Sequence, residues 1–230
     1  MAIVVLLHGI SRTARSMRWL ERRLTGEGYR TANWDYPSRI NDIGTLADGL
    51  APRLAAFAGD DGPVHFVTHS MGGLVARVLL ARHRPGRLGR VVMLAPPNEG
   101  SDVADRLHRL APYRWWFGPA GLQLVTRRDA ATAALFGPVD YELGVIAGTR
   151  SLYPFGSRWL PGPNDGPVAV ARTTVAGMAD HLTLPVSHPM ILRDRAAAEQ
   201  AVAFLRDGRF TRPDRAALPL PHPATGVPAS

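Results

Sequence analysis

The stretch 64-VHFVTHSMGG-73 is an apolar run that breaks off at Ser70 and continues into two glycines. A strand that ends at a serine and passes directly into a helix is the pattern of a nucleophile held on a tight turn. The pentapeptide T-H-S-M-G departs from the pattern G-x-S-x-G at Thr68, whose branched side chain is expected to crowd the turn. Because the shorter pattern S-x-G arises by chance about once in a chain of this length, an ordinary turn serine is the alternative, and the surrounding sequence has to decide.

The segments on both sides of this stretch alternate between strand patterns and helix patterns. Strands are predicted at 2–8, 30–36, 64–68, 90–97 and 142–149, with short strand-like pieces at 173–176 and 181–185. Helices are predicted at 13–27, 42–58, 71–83 and 190–206. Strands that alternate with helices of ten or more residues indicate βαβ units and a parallel sheet. We therefore predict an α/β fold in three layers, with helices on both faces of a mostly parallel sheet of about six strands.

The domain organisation follows from where this alternation holds. Neither an internal repeat nor a linker is recognisable, so residues 1–208 are predicted to form a single domain. Residues 98–140 interrupt the alternation with an apolar, mostly helical excursion, which we expect to lie over one edge of the sheet as a candidate lid. Residues 209–230 are rich in proline, alanine and arginine, a composition that predicts a disordered tail.

The composition excludes several classes of protein and of site. The chain of 230 residues has no cysteine, which excludes disulfides and cysteine-type zinc sites. Apolar and charged fractions of 46% and 20% are those of a soluble globular protein. Neither a signal peptide nor a run long enough to span a bilayer is recognisable, so we expect a cytoplasmic protein.

The net charge of +8 comes from 27 basic residues, all of them arginine. Such a charge can indicate an anionic partner, and it also fits a genome biased toward arginine codons. No nucleic-acid-binding motif accompanies it, so we expect no nucleic-acid partner. Transient contact with an anionic membrane surface stays open as an alternative.

The position of Ser70 predicts a catalytic site at the carboxyl edge of the sheet, where open α/β sheets bind their ligands. A serine nucleophile needs a base, and the base needs an orienting carboxylate. In doubly wound hydrolases these residues follow in the chain order serine, then aspartate or glutamate, then histidine. Asp165 in the loop 161-PGPNDGPV-168 and His188 in the loop 185-PVSHPM-190 have this order.

Other residues compete for these roles. His181 is the alternative to His188, although it falls inside a predicted strand. Asp140 and Asp180 are the alternatives to Asp165. Two further histidines, His8 and His69, flank the predicted site, and we assign both a structural hydrogen-bonding role.

An oxyanion hole needs two backbone N–H groups that point at the developing negative charge. The N–H of Met71, directly after Ser70, is the first candidate. The N–H of Ile10, in the loop after the first strand, is the second, with Gly9 supplying backbone freedom. Within the helical excursion, the cluster Trp115, Trp116 and Phe117 either walls an acyl pocket or simply packs the excursion against the sheet.

At this point the sequence resembles the α/β-hydrolase superfamily, and within it the bacterial esterase and lipase group, over roughly residues 3–206. The segments that carry the resemblance are LLHGI (6–10), HSMGG (69–73), APPNEGS (95–101), PNDGPV (163–168) and LPVSH (184–188). The resemblance implies a triad of Ser70, His188 and Asp165, with the Ile10 and Met71 amides as oxyanion hole and neither cofactor nor metal. Two strands usual in the family are missing ahead of LLHGI, which implies a minimal core.

The function that these residues predict is hydrolysis of carboxylic esters through an acyl-enzyme, with a small-molecule or lipid ester as substrate. The apolar excursion favours a lipase-like enzyme that accepts an acyl chain. One alternative keeps the triad and changes the chemistry to that of a thioesterase or an acyltransferase. The other is a non-catalytic hydrolase-like protein whose basic face binds a partner.

Overall fold

A computed structural model describes residues 1–57, 62–152, 157 and 159–212. Its six strands are β1 (Ile3–Leu7), β2 (Arg30–Trp34), β3 (Val64–His69), β4 (Leu88–Leu94), β5 (Leu143–Gly148) and β6 (Asp180–Leu184). They form one sheet in the order β2-β1-β3-β4-β5-β6, and every neighbouring pair is parallel. The predicted parallel α/β sheet of about six strands is confirmed. Most of the predicted tail, from residue 213 onward, lies outside the described residues.

Seven helices connect or cover these strands in the described part of the chain. They are α1 (Arg18–Gly26), α2 (Ile43–Phe57), α3 (Met71–Arg82), α4 (Asp102–Leu107), α5 (Ala111–Leu122), α6 (Ala130–Leu135) and α7 (Arg195–Asp207). Short 3₁₀ turns at Ala14–Met17 and Met190–Arg193 precede α1 and α7. The first continues directly into α1, whereas Asp194, in an extended conformation, separates the second from α7. None of the described helices is long and apolar enough to cross a membrane.

The core lies on both faces of the sheet, which explains the continuous apolar run of β1. Successive side chains of a strand point to opposite faces. Val5 and Leu7 pack with α2 and α3 on one face, whereas Val4 and Leu6 pack with α1 and α7 on the other. Since all four side chains are fully buried, the strand reads as apolar at every position, as expected for a parallel sheet covered on both sides.

The strand predicted at 173–176 is wrong. The chain forms a 3₁₀ turn at Val170–Thr173 and then runs without a strand to β6. The β-branched residues suggested a strand, but their hydroxyls bond to the local backbone instead. Thr173 donates to the carbonyl of Val170 at 2.7 Å, and Thr174 donates to that of Ala171 at 2.9 Å. Such local bonds compete with the hydrogen bonds of a sheet.

Candidate active site

Ser70 occupies the turn between β3 and α3 in a conformation that side chains rarely adopt. Its φ is 54° and its ψ is −128°, a region in which a residue with a side chain is strained by roughly 1–3 kcal/mol. Two backbone bonds hold the turn: the Ser70 N–H donates to Leu94 at 2.9 Å, and the Gly73 N–H donates to Ser70 at 2.9 Å. Ser70 is therefore fixed at the carboxyl edge of the sheet.

The glycine after the turn is required by a close approach of two backbones. A Cβ atom on Gly72 would lie 2.5 Å from the carbonyl oxygen of Leu7 and 2.6 Å from that of His8, far inside van der Waals contact. Thr68, on the other side of the turn, is accommodated within β3 with its side chain fully buried. The hydroxyl of Thr68 finds no hydrogen-bond partner among the described residues.

Asp165 and His188 are brought together by the loops that follow β5 and β6. Nδ1 of His188 lies 2.6 Å from Oδ2 of Asp165, and because a carboxylate only accepts, the nitrogen is the donor. Nε2 of a neutral His188 is then left as the acceptor. Asp165 is 1% exposed, and its other oxygen accepts from the N–H of Val168 at 3.0 Å. The two loops are also joined by a bond from the His188 N–H to the Asp165 carbonyl at 3.1 Å.

Ser70 and His188 line the same cavity, which has a volume of about 450 Å³. The helical segment 98–140 supplies most of its apolar wall, through Val103, Ala104, Leu107, Tyr113, Trp116, Phe117 and Leu124. Of the predicted aromatic cluster, Trp116 and Phe117 thus contribute to this wall. Trp115 does not: it is 75% exposed and lines a neighbouring groove.

The loop after β1 lies directly against the turn that carries Ser70. A Cβ atom on Gly9 would lie 3.0 Å from Cβ of Ser70, and Ile10 lines the cavity. Met71 is the first residue of α3, so its N–H is one of the amides that have no acceptor within the helix. The two backbone segments that carry the predicted oxyanion-hole amides are therefore adjacent to Ser70.

The loop after β1 is held by a cluster that the sequence did not predict. His8 is buried, its ring stacks on Tyr36 with centroids 4.1 Å apart, and its Nδ1 donates to the carbonyl of Gly9 at 2.8 Å. The Tyr36 hydroxyl donates to the carbonyl of His8. Burial lowers the pKa of His8, and Asp35, whose Oδ1 lies 3.1 Å from Nε2, opposes this shift. The sequence feature that could have indicated this cluster is the position of Tyr36, just after β2 at the same edge of the sheet.

His69 lines the cavity and also contacts the loop that carries His188, the candidate base. Its Nε2 lies 3.0 Å from the carbonyl oxygen of His188, and the two rings are 4.8 Å apart. Since a carbonyl only accepts, Nε2 of His69 carries the proton. Its Nδ1 is buried and has no hydrogen-bond partner in the described part of the chain. Burial, and then the neighbouring His188, hold the pKa of His69 well below 6.5.

This buried, neutral histidine predicts a pH-dependent stability. Below pH 6.5 the unfolded chain takes up a proton that folded His69 resists, so the free energy of unfolding should fall as the pH falls. The stabilisation is fully present above pH 6.5, and one such group contributes a slope of at most about 1.4 kcal/mol per pH unit. Urea unfolding at about pH 7.5 and 5.5 measures this slope. His69→Gln, which keeps a donor, should reduce it, and an unchanged slope would contradict the prediction.

The competing residues are engaged elsewhere. His181 lies in β6 and its Nε2 is 2.9 Å from the Thr173 hydroxyl. Asp140 pairs with Arg84, and Asp180 pairs with Arg212. None of these three lines the cavity of Ser70. Among the described residues, no group of three or more histidine, aspartate or glutamate side chains could hold a metal ion.

Comparison with known proteins identifies the family. A family model described as "Alpha/beta hydrolase family" matches residues 4–227. The chain belongs to the alpha/beta hydrolase family. Comparison with curated protein sequences found no significant match.

Solved structures of a lipase, a phospholipase and a pyrethroid hydrolase share this architecture. The mature lipase BlEst2 of Bacillus licheniformis superimposes with a TM-score of 0.67 and 20% identity, covering 88% of this chain and 90% of that one. Phospholipase PlaB of Legionella pneumophila superimposes with a TM-score of 0.60 and 20% identity, covering 87% of this chain and 57% of that one. A pyrethroid hydrolase of Sphingobium faniae superimposes with a TM-score of 0.57 and 15% identity, covering 90% of this chain and 98% of that one. At these identities the likeness shows the fold alone.

Proposed function

We propose that this alpha/beta hydrolase cleaves carboxylic esters, with Ser70 as nucleophile, His188 as general base and Asp165 as the orienting acid. The observation that carries the proposal is the 2.6 Å bond from His188 to the buried Asp165 at the cavity that Ser70 also lines. This bond leaves Nε2 of His188 free to accept a proton. A strained serine on a strand-to-helix turn is the partner that such a pair activates.

The first half of the reaction forms an acyl-enzyme. Oγ of Ser70 attacks the ester carbonyl carbon while Nε2 of His188 takes the hydroxyl proton, and Asp165 stabilises the imidazolium. The carbonyl oxygen becomes an oxyanion, which the N–H groups of Ile10 and Met71 stabilise. The amino end of α3, where Met71 lies, adds the favourable field of a helix N-terminus. The tetrahedral intermediate then collapses, and the alcohol leaves with the proton from His188.

The second half returns the enzyme to its starting state. Water enters, His188 takes one of its protons, and the resulting nucleophile attacks the acyl carbon. The same two amides stabilise the second oxyanion. Collapse of this intermediate breaks the bond to Ser70, whose oxygen regains the proton from His188, and releases the carboxylic acid.

The wall of the cavity supports an apolar acyl group as the part of the substrate that lies inside. Leu107, Tyr113, Phe117 and Leu124 are among the lining residues, and such side chains offer dispersion and burial to an alkyl chain. We therefore propose a lipase-like ester hydrolase. The segment 98–140, which carries these residues, is the proposed cover of the site.

The test combines an active-serine probe with a series of esters. A fluorophosphonate should label the protein at Ser70, located by mass spectrometry of the labelled peptide, and Ser70→Ala should lose the label. Ser101→Ala is the matched control, because Ser101 lines the same cavity, and it should keep the label. Nitrophenyl esters from acetyl to dodecanoyl should show kcat/KM rising with chain length. A label on another serine would refute the assignment.

The same assay separates simple hydrolysis from the related chemistries. A thioester with the same acyl chain should be cleaved more slowly than the ester if the enzyme is an esterase. Added glycerol should leave the yield of free acid unchanged. A new glycerol ester that forms at the expense of the acid would identify an acyltransferase instead.

A further inference from the structure

An open groove of about 660 Å³ lies beside the active-site cavity. Arg12, Asp35, Tyr36, Arg39 and Trp115 are among its lining residues, and we call it the Arg12–Arg39 groove. Arg12 also lines the cavity that contains Ser70, so the two spaces meet at this residue. The groove therefore starts next to the loop that carries Ile10.

The positive charges of Arg12 and Arg39 are available to a ligand in the groove. Arg12 is exposed, and no carboxylate of the described chain pairs with it. The guanidinium of Arg39 lies over the Trp116 ring at 4.4 Å, and its Nε donates to the Trp116 carbonyl at 2.6 Å. These contacts fix the orientation of Arg39 without neutralising it. Guanidinium groups match the geometry of carboxylates and phosphates.

Asp35 is the acidic side chain that faces the same groove, and it is already engaged with the protein. Its Oδ1 accepts from the N–H of Ala14 at 3.0 Å and lies 3.1 Å from Nε2 of His8. The groove thus holds two positive charges against one negative charge. A second basic groove, around Arg106, Arg109, Arg127 and Arg172, differs because it shares no lining residue with the cavity of Ser70.

The cavity and the groove, which meet at Arg12, differ in chemistry. The cavity wall from α4 and α5 is apolar and suits an acyl chain, whereas the groove is polar and basic. Burial is the main cause that lowers the pKa of His69, and the positive charge of Arg12 is a smaller one, so this charge acts on the buried ring next to Ser70. Because the two spaces meet at Arg12, the groove is the polar space that adjoins an ester whose acyl chain lies in the cavity.

We infer that the Arg12–Arg39 groove binds an anionic group, phosphate or carboxylate, carried by the alcohol part of the ester substrate. This inference rests on the proposed function and narrows it to esters of anionic alcohols. The bond that breaks joins the acyl carbon to the alcohol oxygen. That oxygen takes its proton from His188, the anionic group stays on the released alcohol, and water supplies the oxygen of the free acid.

The experiment compares two soluble esters that differ in this charge. Butyrylglycerol and butyrylglycerol 3-phosphate carry the same acyl chain and, at low concentration, form no aggregates. We expect wild type to prefer the phosphate ester by about tenfold or more in kcat/KM, mainly through a lower KM, as for charge-assisted hydrogen bonds. The preference should decrease as ionic strength rises.

Variants assign the preference to the groove. Arg12→Gln and Arg39→Gln should each reduce the ratio of the two kcat/KM values, and the double variant should bring it close to one. Arg22→Gln is the matched control, because Arg22 is an exposed arginine of α1 outside the groove, and it should keep the ratio. A third arm uses dioleoyl phosphatidylglycerol vesicles, to distinguish a membrane surface from a discrete anionic group.

The outcomes separate the inference from the proposed function. Labelling of Ser70 and hydrolysis of both esters at equal rates, unaffected by the arginine variants, would overturn the groove and leave the esterase intact. A preference for anionic substrates seen with vesicles but not with the soluble pair would overturn it in favour of surface binding. Absence of both labelling and hydrolysis would overturn the proposed function, and the inference with it.

Discussion

Alanine at Ser70 or at His188 is expected to lower kcat by about 10⁴- to 10⁶-fold, with KM for a nitrophenyl ester changed far less. Each replacement removes the same concerted step, the transfer of the hydroxyl proton during attack. Because the two residues act as a unit, the double variant should be no slower than either single variant. Single-turnover and steady-state kinetics on the purified proteins measure both statements.

The role of Asp165 gives a further kinetic signature. In Asp165→Asn the amide can donate to Nδ1 of His188, which favours the wrong tautomer and should cost roughly 10⁴-fold in kcat. Asp140→Asn is the matched control, because Asp140 forms an exposed ion pair with Arg84, and exposed pairs contribute little to stability. It should retain wild-type kcat. If His188→Ala kept a tenth of the wild-type rate, another group would be the base.

Much of the fold could be predicted because the apolar pattern alternates regularly from residue 2 to residue 97. The buried strands β1 and β3 are apolar on both faces, and each is followed by a helix of recognisable period. The parallel sheet then places every strand end on one edge, so Asp165 after β5 and His188 after β6 were expected near Ser70. The 2.6 Å bond between them agrees with that expectation. Their catalytic roles stay predictions until the kinetics are measured.

What could not be predicted depends on contacts between residues distant in sequence. The stacking of His8 on Tyr36 joins the loops after β1 and β2, and no local pattern encodes such a pair. Trp115 and Trp116 are neighbours in α5, yet about 100° of helical rotation separates them, so Trp116 lines the cavity and Trp115 the groove. Their division depends on how α5 is placed over the site, which its own residues do not specify.

The second large effect is expected for a substitution of Gly72, which should lower the stability of the fold rather than the catalytic rate directly. In Gly72→Ala, the added Cβ atom would lie 2.5 Å from the carbonyl oxygen of Leu7 and 2.6 Å from that of His8. Neither atom belongs to a side chain that can rotate away, so β1 and α3 would have to separate. We expect a loss of about 3 kcal/mol or more in the free energy of unfolding, measured by urea denaturation.

The same substitution at Gly49 is the control, because it should change stability in the opposite direction. Gly49 lies on the exposed side of α2, and a Cβ there would meet no heavy atom within 4 Å. Alanine in an open helical position should therefore stabilise the protein by about 0.5–1 kcal/mol. If Gly72→Ala were as stable as wild type, the close approach of β1 to the turn would be wrong.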